Sequence, residues 1–364
     1  MTKPVEKNAL KYQEYLEEQL EDVVAKDTTK KYYERANEIV STLLEKSKEI
    51  SHHDKKSPFS CIYGVILSGC VQKQLAVPNM SCGYLVFLYY LKEKHLDNSE
   101  MDSHQKKHKD ILSWIKQSVD KIRKELCTNK IKILKHSKSS LKIKWKGLEY
   151  HIAIAWTFSK RQYCAFHYTQ DNVHVYPFSL EQLQMAANDL IDEAPIHHKR
   201  IKNVGKANKK WRTFLEHNLC ASLSLLRVYY MREELVGRNT RLAVLFLKIW
   251  QHVVMKDRPQ QQQQQQCLSN NSLEIICAHL LEQLEKTCQP DVAVPALDII
   301  HAFFKLMARF LRRTGDSANE IVVLIEWPHR DGQSECLVTT REINRYKSKV
   351  DSEEFVVVDN LIIR

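Results

Sequence analysis

The sequence predicts an α+β protein in which a mixed α/β lobe is followed by a helical lobe. Three observations support this fold class. Residues 8–50 repeat apolar side chains every three or four positions, as two amphipathic helices do. Short apolar or alternating runs, typical of strands, follow between residues 61 and 178, and after Ser179 the apolar spacing becomes helical. We therefore expect one lobe over residues 1–178, including both N-terminal helices, and a helical lobe over residues 179–364.

Local patterns place the elements of each lobe. In the first lobe we expect a helix over residues 105–126, a hairpin over 161–178, and strands over 61–67, 84–91, 131–134, 141–145 and 149–156. In the second lobe the helical spacing predicts helices over 179–194, 214–235, 240–255, 272–284 and 295–313. The C-terminal runs EIVVLIEW and EFVVVDNLIIR predict buried strands or extended segments.

Composition restricts the class of partner. The 364 residues carry 55 Lys and Arg against 44 Asp and Glu, a formal charge of +11 that attracts polyanions. The ten cysteines include no Cys-x-x-Cys pair, which disfavours a zinc ribbon. The N-terminus is charged and no apolar run approaches the ~18 residues of a membrane span. We expect a soluble, cytoplasmic protein, with a nuclear location as the alternative, and no membrane partner.

Basic residues cluster in two segments that suit phosphate contacts, and in a third, smaller cluster on the helix over 105–126 that a solvated helical face explains equally well. Residues 130–146 alternate lysine with apolar residues, which predicts a hairpin with one strongly positive face. Residues 197–212 form a second basic segment, predicted to lie outside the helices, with His197 in a loop. Counterion release rewards such clustering, so we expect RNA or DNA contact there, with a flexible basic loop as the alternative. The residues concerned are Lys199, Arg200, Lys202, Lys206, Lys209, Lys210 and Arg212.

One further motif bears on catalysis. Gly69-Cys70 is followed by Cys82-Gly83-Tyr84 and an apolar run. This order resembles the polymerase-β-like nucleotidyltransferases, in which a Gly-Ser turn grips a triphosphate and a strand with two alternate aspartates holds divalent metals. Cysteine and tyrosine occupy both aspartate positions here, and thiol and phenol groups cannot replace carboxylates as ligands of a hard cation.

Further short sequence motifs resemble those of the 2′-5′-oligoadenylate synthetase branch of that superfamily. Arg238-Asn239-Thr240-Arg241-Leu242 is similar to the family's Arg-Pro-Thr-Lys-Leu, which opens a helix carrying a pattern like Lys248-Ile249-Trp250. Ser272-Leu273-Glu274 resembles its Ala-Leu-Glu helix, and Val357-Val358-Asp359 its Ile-Leu-Asp segment. The resemblance covers most of residues 8–364. It implies a bilobal nucleotidyltransferase-like fold and an innate antiviral role.

The resemblance also assigns site residues. The family's phosphate-gripping serine falls on Cys70, the basic residue after it on Lys73, and a donor-nucleotide lysine on Arg241. Its two metal-binding aspartates fall on Cys82 and Tyr84, and its third on His151. All three carboxylates are replaced, so the degenerate positions imply that no nucleotide is transferred.

The nearest carboxylate to His151 is that of Glu149, which we expect to point away from the neighbours of His151. A different hypothesis is that Cys70, Cys82 and His151 converge on a structural zinc ion, since cysteine and histidine suit that metal. Buried cysteines that act as small apolar residues are the alternative.

These patterns favour a catalytically inactive protein of nucleotidyltransferase fold that binds double-stranded RNA or another nucleic acid, without a cofactor. One alternative is an active template-independent nucleotidyltransferase, which would require Mg²⁺. Another is a protein-interaction scaffold, for which a protein partner is expected.

Overall fold

The computed structural model describes residues 4–23, 26–51, 57–78, 80–92, 100–137, 139–158, 175, 177–204, 208–255, 268, 270–287, 293–313, 324–327 and 356–359. By its internal packing the chain divides into one unit of residues 26–229 and another of residues 1–25 and 230–363. We call them the α/β unit and the helical unit.

A mixed five-stranded sheet forms the centre of the α/β unit, with strands in the order β1-β2-β5-β4-β3. β2 and β5 are parallel, and the other neighbours are antiparallel. A parallel pair requires a long crossover, which α3 provides here together with β3 and β4. The elements are α2 (Lys26–Ser51), a short 3₁₀ turn (Pro58–Cys61), β1 (Ile62–Ser68), β2 (Cys82–Tyr90), α3 (Met101–Glu125), β3 (Ile131–His136), β4 (Ser140–Trp145) and β5 (Leu148–Thr157).

The central strands carry the core of this unit. β5 is buried without interruption from Ile152 to Thr157, and β2 from Leu85 to Tyr89. Near-continuous apolar runs are what a strand covered on both faces requires. The two N-terminal helices, the α3 helix and all five single strands expected from the sequence are therefore confirmed. The expected hairpin over 161–178 lies almost wholly outside the described residues.

Three helices complete the α/β unit: α4 (Leu180–Asn203), α5 (Lys209–Ser222) and α6 (Ser224–Tyr230). α4 continues through Pro195 and includes the first part of the basic segment that we expected to be a loop. That expectation is wrong for His197, which is 3% exposed. The ring centroids of His197 and Phe158 lie 4.8 Å apart. An internal proline costs a helical hydrogen bond, and packing of this kind offsets that cost.

The helical unit contains α1 (Pro4–Val23), α7 (Glu233–Met255), α8 (Asn270–Glu285) and α9 (Ala296–Arg313), with a parallel pair of short strands, β6 (Leu324–Trp327) and β7 (Val356–Asp359). α1 packs on α7 and α9, whereas α5 packs on β5. The division therefore differs from the boundary expected between residues 178 and 179, because α1 joins the C-terminal helices and α4–α6 join the sheet.

The α+β fold class is confirmed by these two units, one mixed and one mainly helical. A buried ion pair joins α7 to α8, with Lys248 Nζ 2.8 Å from Glu274 Oε1. Across the helices that the structure describes, none combines the length and apolar character needed to cross a membrane.

Candidate functional site

The three degenerate positions lie together on the sheet of the α/β unit. Tyr84 of β2 is the register partner of His151 of β5, and their ring centroids are 5.3 Å apart in an edge-to-face arrangement. Cys82 lies two residues before Tyr84 on the same strand face, since side chains alternate along a strand. The juxtaposition that the resemblance implied for Cys82, Tyr84 and His151 is thus present in the structure.

Glu149 belongs to the same row, contrary to our expectation. It is the register partner of Cys82 and shares the face of His151, because residues two apart point the same way. Its carboxylate is engaged: Lys142 Nζ of β4 lies 2.6 Å from Glu149 Oε2. The expectation was wrong because Glu149 and His151 are two residues apart on one strand and therefore lie on the same face of the sheet.

Basic residues continue this face on the other side of His151. Lys142 is opposite His151 on β4, and Lys135 is opposite Lys142 on β3. Burial lowers the pKa of His151, and the charges of Lys142, Lys135 and His217 lower it further. The imidazole is therefore neutral at neutral pH, and its surroundings favour anions over cations.

The other two positions are also uncharged. Burial raises the pKa of Cys82 to about 12, an effect that Lys142 opposes and Glu149 reinforces. Burial likewise raises the pKa of Tyr84. At neutral pH these groups are a thiol and a phenol, which are weak ligands for any hard cation.

This donor set does not fit the Mg²⁺ ions that the family resemblance implies. Magnesium takes oxygen ligands, chiefly carboxylates and phosphates, and the row offers a single carboxylate already paired with a lysine. The zinc hypothesis is contradicted as well, because no three His, Cys, Asp or Glu residues come together as metal ligands anywhere in the described ranges. Cys70, Cys82 and His151 are therefore not a zinc site.

The turn before β2 has the expected place beside this row. Gly69 has a φ of 76°, and a Cβ there would lie 3.1 Å from Tyr84 Cβ, so both conformation and space favour glycine. The Lys73 amide donates to the Gly69 carbonyl at 3.1 Å, which closes the turn. Cys70 is half-buried, but Lys73 is only 6% exposed and presents little surface to a phosphate. Arg241 is half-buried on α7, in the helical unit.

A small cavity lies over the row. It measures about 110 Å³ and is lined by Tyr84, His151, His217 and Cys220, among others. Pockets that bind drug-sized ligands usually occupy about 300–1,000 Å³. This cavity of the α/β unit is therefore too small to hold a nucleotide.

The segment expected to bind RNA surrounds the junction of two helices. Lys199, Arg200 and Lys202 lie on α4, Lys209, Lys210 and Arg212 lie on α5, and Lys206 lies outside the described residues. Asn208 caps α5 by accepting from the Trp211 amide at 3.3 Å. The basic residues of α5 thus fall in its first turn, where the helix dipole is positive and favours anions.

Two of these cations have acidic neighbours at the surface. Lys210 Nζ lies 3.4 Å from Asp102 Oδ1, and Arg212 Nε lies 2.9 Å from Glu216 Oε1. Exposed ion pairs contribute only about 0–1 kcal/mol, so a phosphate can replace the carboxylate at little cost.

Sequence reasoning missed one feature, a basic cleft beside the β3–β4 hairpin. The alternating lysines of residues 130–146 were visible, but the contribution of Arg35 from α2 was not. Nothing local connects residues so far apart in the chain.

Comparison with known proteins gives weak likenesses. No protein-family model matches the chain, and no curated protein matches it. Among solved structures, it is similar to the CdnC:HORMA-deltaN complex of E. coli MS115-1, at 12% identity, over 91% of this chain and 85% of that chain, with a TM-score of 0.42. The Rhodothermus marinus CdnE c-UMP-AMP synthase is 13% identical over 90% of this chain and 89% of that one, with a TM-score of 0.34.

A third similar structure is terminal uridylyl transferase 4 of Trypanosoma brucei with bound GTP, at 9% identity, over 89% of this chain and 88% of that one, with a TM-score of 0.36. Two of these neighbours are described as a c-UMP-AMP synthase and a terminal uridylyl transferase. Similarities with such low TM-scores do not indicate the activity or the ligands of this chain.

Proposed function

We propose that this chain is a catalytically inactive protein of nucleotidyltransferase fold, in the 2′-5′-oligoadenylate synthetase-like branch, that binds double-stranded RNA or another polyanion through basic surfaces. The observation that supports inactivity is the row of Cys82, Tyr84 and His151 on one sheet face. Two-metal transfer needs negative ligands that hold metal ions between the triphosphate and the attacking hydroxyl. A thiol, a phenol and a neutral imidazole beside Lys142 supply none.

The charge distribution supports the binding half of the proposal. Lys199 and Lys210 are exposed on α4 and α5, and the first turn of α5 adds the positive end of its helix dipole. Phosphate contacts of this kind are independent of base sequence and depend on charge. We therefore expect recognition of backbone and shape.

Duplex RNA titrated against the full-length protein, with fluorescence anisotropy as the readout, tests this proposal. For about four phosphate contacts, affinity should fall roughly a hundredfold between 50 and 200 mM salt, because bound cations displace condensed counterions. A variant with Lys199, Arg200, Lys210 and Arg212 each changed to glutamate should bind at least about tenfold more weakly and show a shallower salt dependence.

A control variant reverses the same number of charges elsewhere. Lys106, Lys109, Lys121 and Lys124 are exposed on α3 and can each be changed to glutamate. Equal weakening by the two variants would show that only net charge matters, and binding that is absent or independent of salt would exclude the proposed interface.

A further inference from the structure

A basic cleft lies between α2 and the β3–β4–β5 hairpins of the α/β unit. We call it the hairpin cleft. Its volume is about 660 Å³, and it is lined by Arg35, Asn129, Lys130, Lys132, Lys144, Lys146 and Gly147. None of these residues belongs to the segment proposed to bind RNA, and one of them, Lys144, is the register partner of Glu149 in the row around His151.

Strand register brings the lysines of the hairpin cleft together against their mutual repulsion. Lys132 of β3 is directly opposite Lys144 of β4. Like charges at directly opposed positions of an antiparallel pair are unfavourable, because the side chains are only about 5 Å apart at Cβ. At the end of the same hairpin, the Lys146 amide donates to the Lys130 carbonyl at 2.8 Å, which holds these two residues side by side.

Lys146 also occupies a backbone position that suits other residues better. It has a φ of 46° and is followed by Gly147 with a φ of 96°, in the two-residue turn between Trp145 and Leu148. Turns with two positive φ values strongly favour Asn, Asp or Gly at the first position. A lysine here is strained, and strained positions are frequent in binding sites.

The cations of the hairpin cleft exceed its anions. Glu38 pairs with Arg35, with Nη1 and Oε2 3.0 Å apart, and with Lys146. Lys130, Lys132 and Lys144 form no ion pair within the described part of the chain. Glu149, which is opposite Lys144 in the strand register, is paired with Lys142. When that pair is counted, six cations against two carboxylates leave a surplus of four positive charges.

We propose that the hairpin cleft is a binding site for a compact anion with several adjacent phosphate groups, such as the triphosphate tail of a nucleotide or an inositol polyphosphate. Its volume falls within the range of about 300–1,000 Å³ that is usual for small-ligand sites. The cations come from a helix, two strands and a turn, so they can surround a compact ligand. Duplex RNA is instead contacted along extended surfaces of the protein.

Calorimetric titration of the full-length protein at fixed ionic strength tests this inference, with inorganic tripolyphosphate, ATP and inositol hexakisphosphate as separate probes. Binding with a one-to-one stoichiometry is expected for at least one of them. The double variant Lys132→Ala and Lys144→Ala should weaken it at least about tenfold, because two charge-assisted hydrogen bonds are lost. The control, Lys106→Ala with Lys109→Ala on α3, removes the same charge and should change the affinity less than about twofold.

Two single variants make the test specific. Lys146→Asn places a favoured residue in the turn, so it should fold and should still weaken phosphate binding. Glu38→Gln removes the carboxylate that pairs with Arg35 and Lys146 and should strengthen binding, whereas a purely structural role for Glu38 would not produce this increase.

The relative affinities of ATP and inositol hexakisphosphate distinguish the two sources of phosphate. Absence of binding by all three probes, or equal weakening by the cleft and control variants, would overturn the inference. Duplex RNA binding that is lost in the Lys132 and Lys144 variant, without tripolyphosphate binding by the wild type, would assign the hairpin cleft to RNA and also overturn it. Failure of the α4–α5 variant to affect RNA binding would contradict the proposed RNA interface and leave the hairpin cleft untouched.

Discussion

Tyr84 and His151 are register partners on adjacent parallel strands, and their rings meet edge to face with centroids 5.3 Å apart. In the family that the sequence resembles, both positions carry metal-binding aspartates. Here two uncharged rings pack against each other, an arrangement worth about 0.5–1.5 kcal/mol beyond the buried area. The positions thus contribute packing energy where carboxylates would repel each other unless a metal were bound.

The first prediction concerns the titration of His151. Its pKa should lie below about 6.5, the usual value, because burial and the charges of Lys142 and Lys135 disfavour the imidazolium. Lys142→Met should raise that pKa, since it removes a nearby cation and releases Glu149. NMR titration of the imidazole signals, assigned with His151→Asn, measures both values. Lys121→Met on α3 is the control, and a wild-type pKa at or above the usual value would contradict this description.

The second prediction concerns His108 and acid stability. His108 is 3% exposed, and burial, together with the charges of His104 and Lys107, lowers its pKa to about 3. The unfolded chain takes up this proton near pH 6.5, so the stability contributed by neutral His108 is lost as the pH falls from there towards about 3. The loss is at most about 1.4 kcal/mol per pH unit.

His108→Gln removes this proton uptake and keeps a polar group that can reach the hydroxyl of Tyr89, which lies 3.1 Å from His108 Nε2. Between about pH 6 and about pH 5 the variant should lose roughly 1 kcal/mol less stability than the wild type. Urea unfolding at a series of pH values measures the difference. Parallel stability curves for the two proteins would show that His108 does not titrate in this way.

Sequence periodicity predicted most local elements, because each element depends on its own residues, but the single helix expected over 214–235 is divided among α5, α6 and the start of α7. The strands around Val86, Ile143 and Ile152 and the helices on either side were recognisable from apolar spacing alone. The row of Cys82, Tyr84 and His151 was expected from the family resemblance and not from local spacing, because the resemblance implied which strands are neighbours.

Contacts between distant residues were not predictable in this way. The helix expected to end at residue 194 continues through Pro195 to Asn203, and His197 in this continuation packs on Phe158, a residue from a distant part of the chain. The position of Glu149 beside Cys82 depends on register, and the hairpin cleft depends on α2 bringing Arg35 to strands about a hundred residues later in the chain. The grouping of α1 with the C-terminal helices is another long-range effect.

The third prediction concerns the ion pair of Lys248 and Glu274, whose side chains are 5% and 1% exposed. Both residues belong to the short motifs, Lys248-Ile249-Trp250 and Ser272-Leu273-Glu274, on which the family resemblance is based. Lys248→Met should destabilise the helical unit by about 3–5 kcal/mol, because it leaves a buried carboxylate without its cation.

The double variant Lys248→Met with Glu274→Leu should recover most of that loss, since an apolar pair of similar size has no charge to desolvate. Chemical denaturation followed by circular dichroism measures all three proteins. A double variant less stable than the single variant would show that Lys248 and Glu274 stabilise the helical unit by more than the neutralisation of each other's charge.

The fourth prediction separates stability from binding at Lys146. Lys146→Asn should raise the free energy of unfolding by up to about 1 kcal/mol, because asparagine tolerates a positive φ better than lysine does. The ion pair with Glu38 that is lost is exposed and contributes little. Lys130→Asn, at an exposed position without a positive φ, is the control and should leave the stability nearly unchanged. Urea unfolding of both variants checks the prediction, and a clear loss of stability in Lys146→Asn would show that the turn requires lysine.

The proposed catalytic inactivity is tested most directly by a transfer assay with the full-length protein, ATP labelled in its α-phosphate, Mg²⁺ or Mn²⁺, and duplex RNA. We predict no labelled oligonucleotide above the level given by a variant with Cys82→Ala, Tyr84→Phe and His151→Ala. Labelled oligomers that the wild type makes and a Glu149→Gln variant does not would contradict the account, because they would show that Glu149 holds a catalytic metal despite its pairing with Lys142.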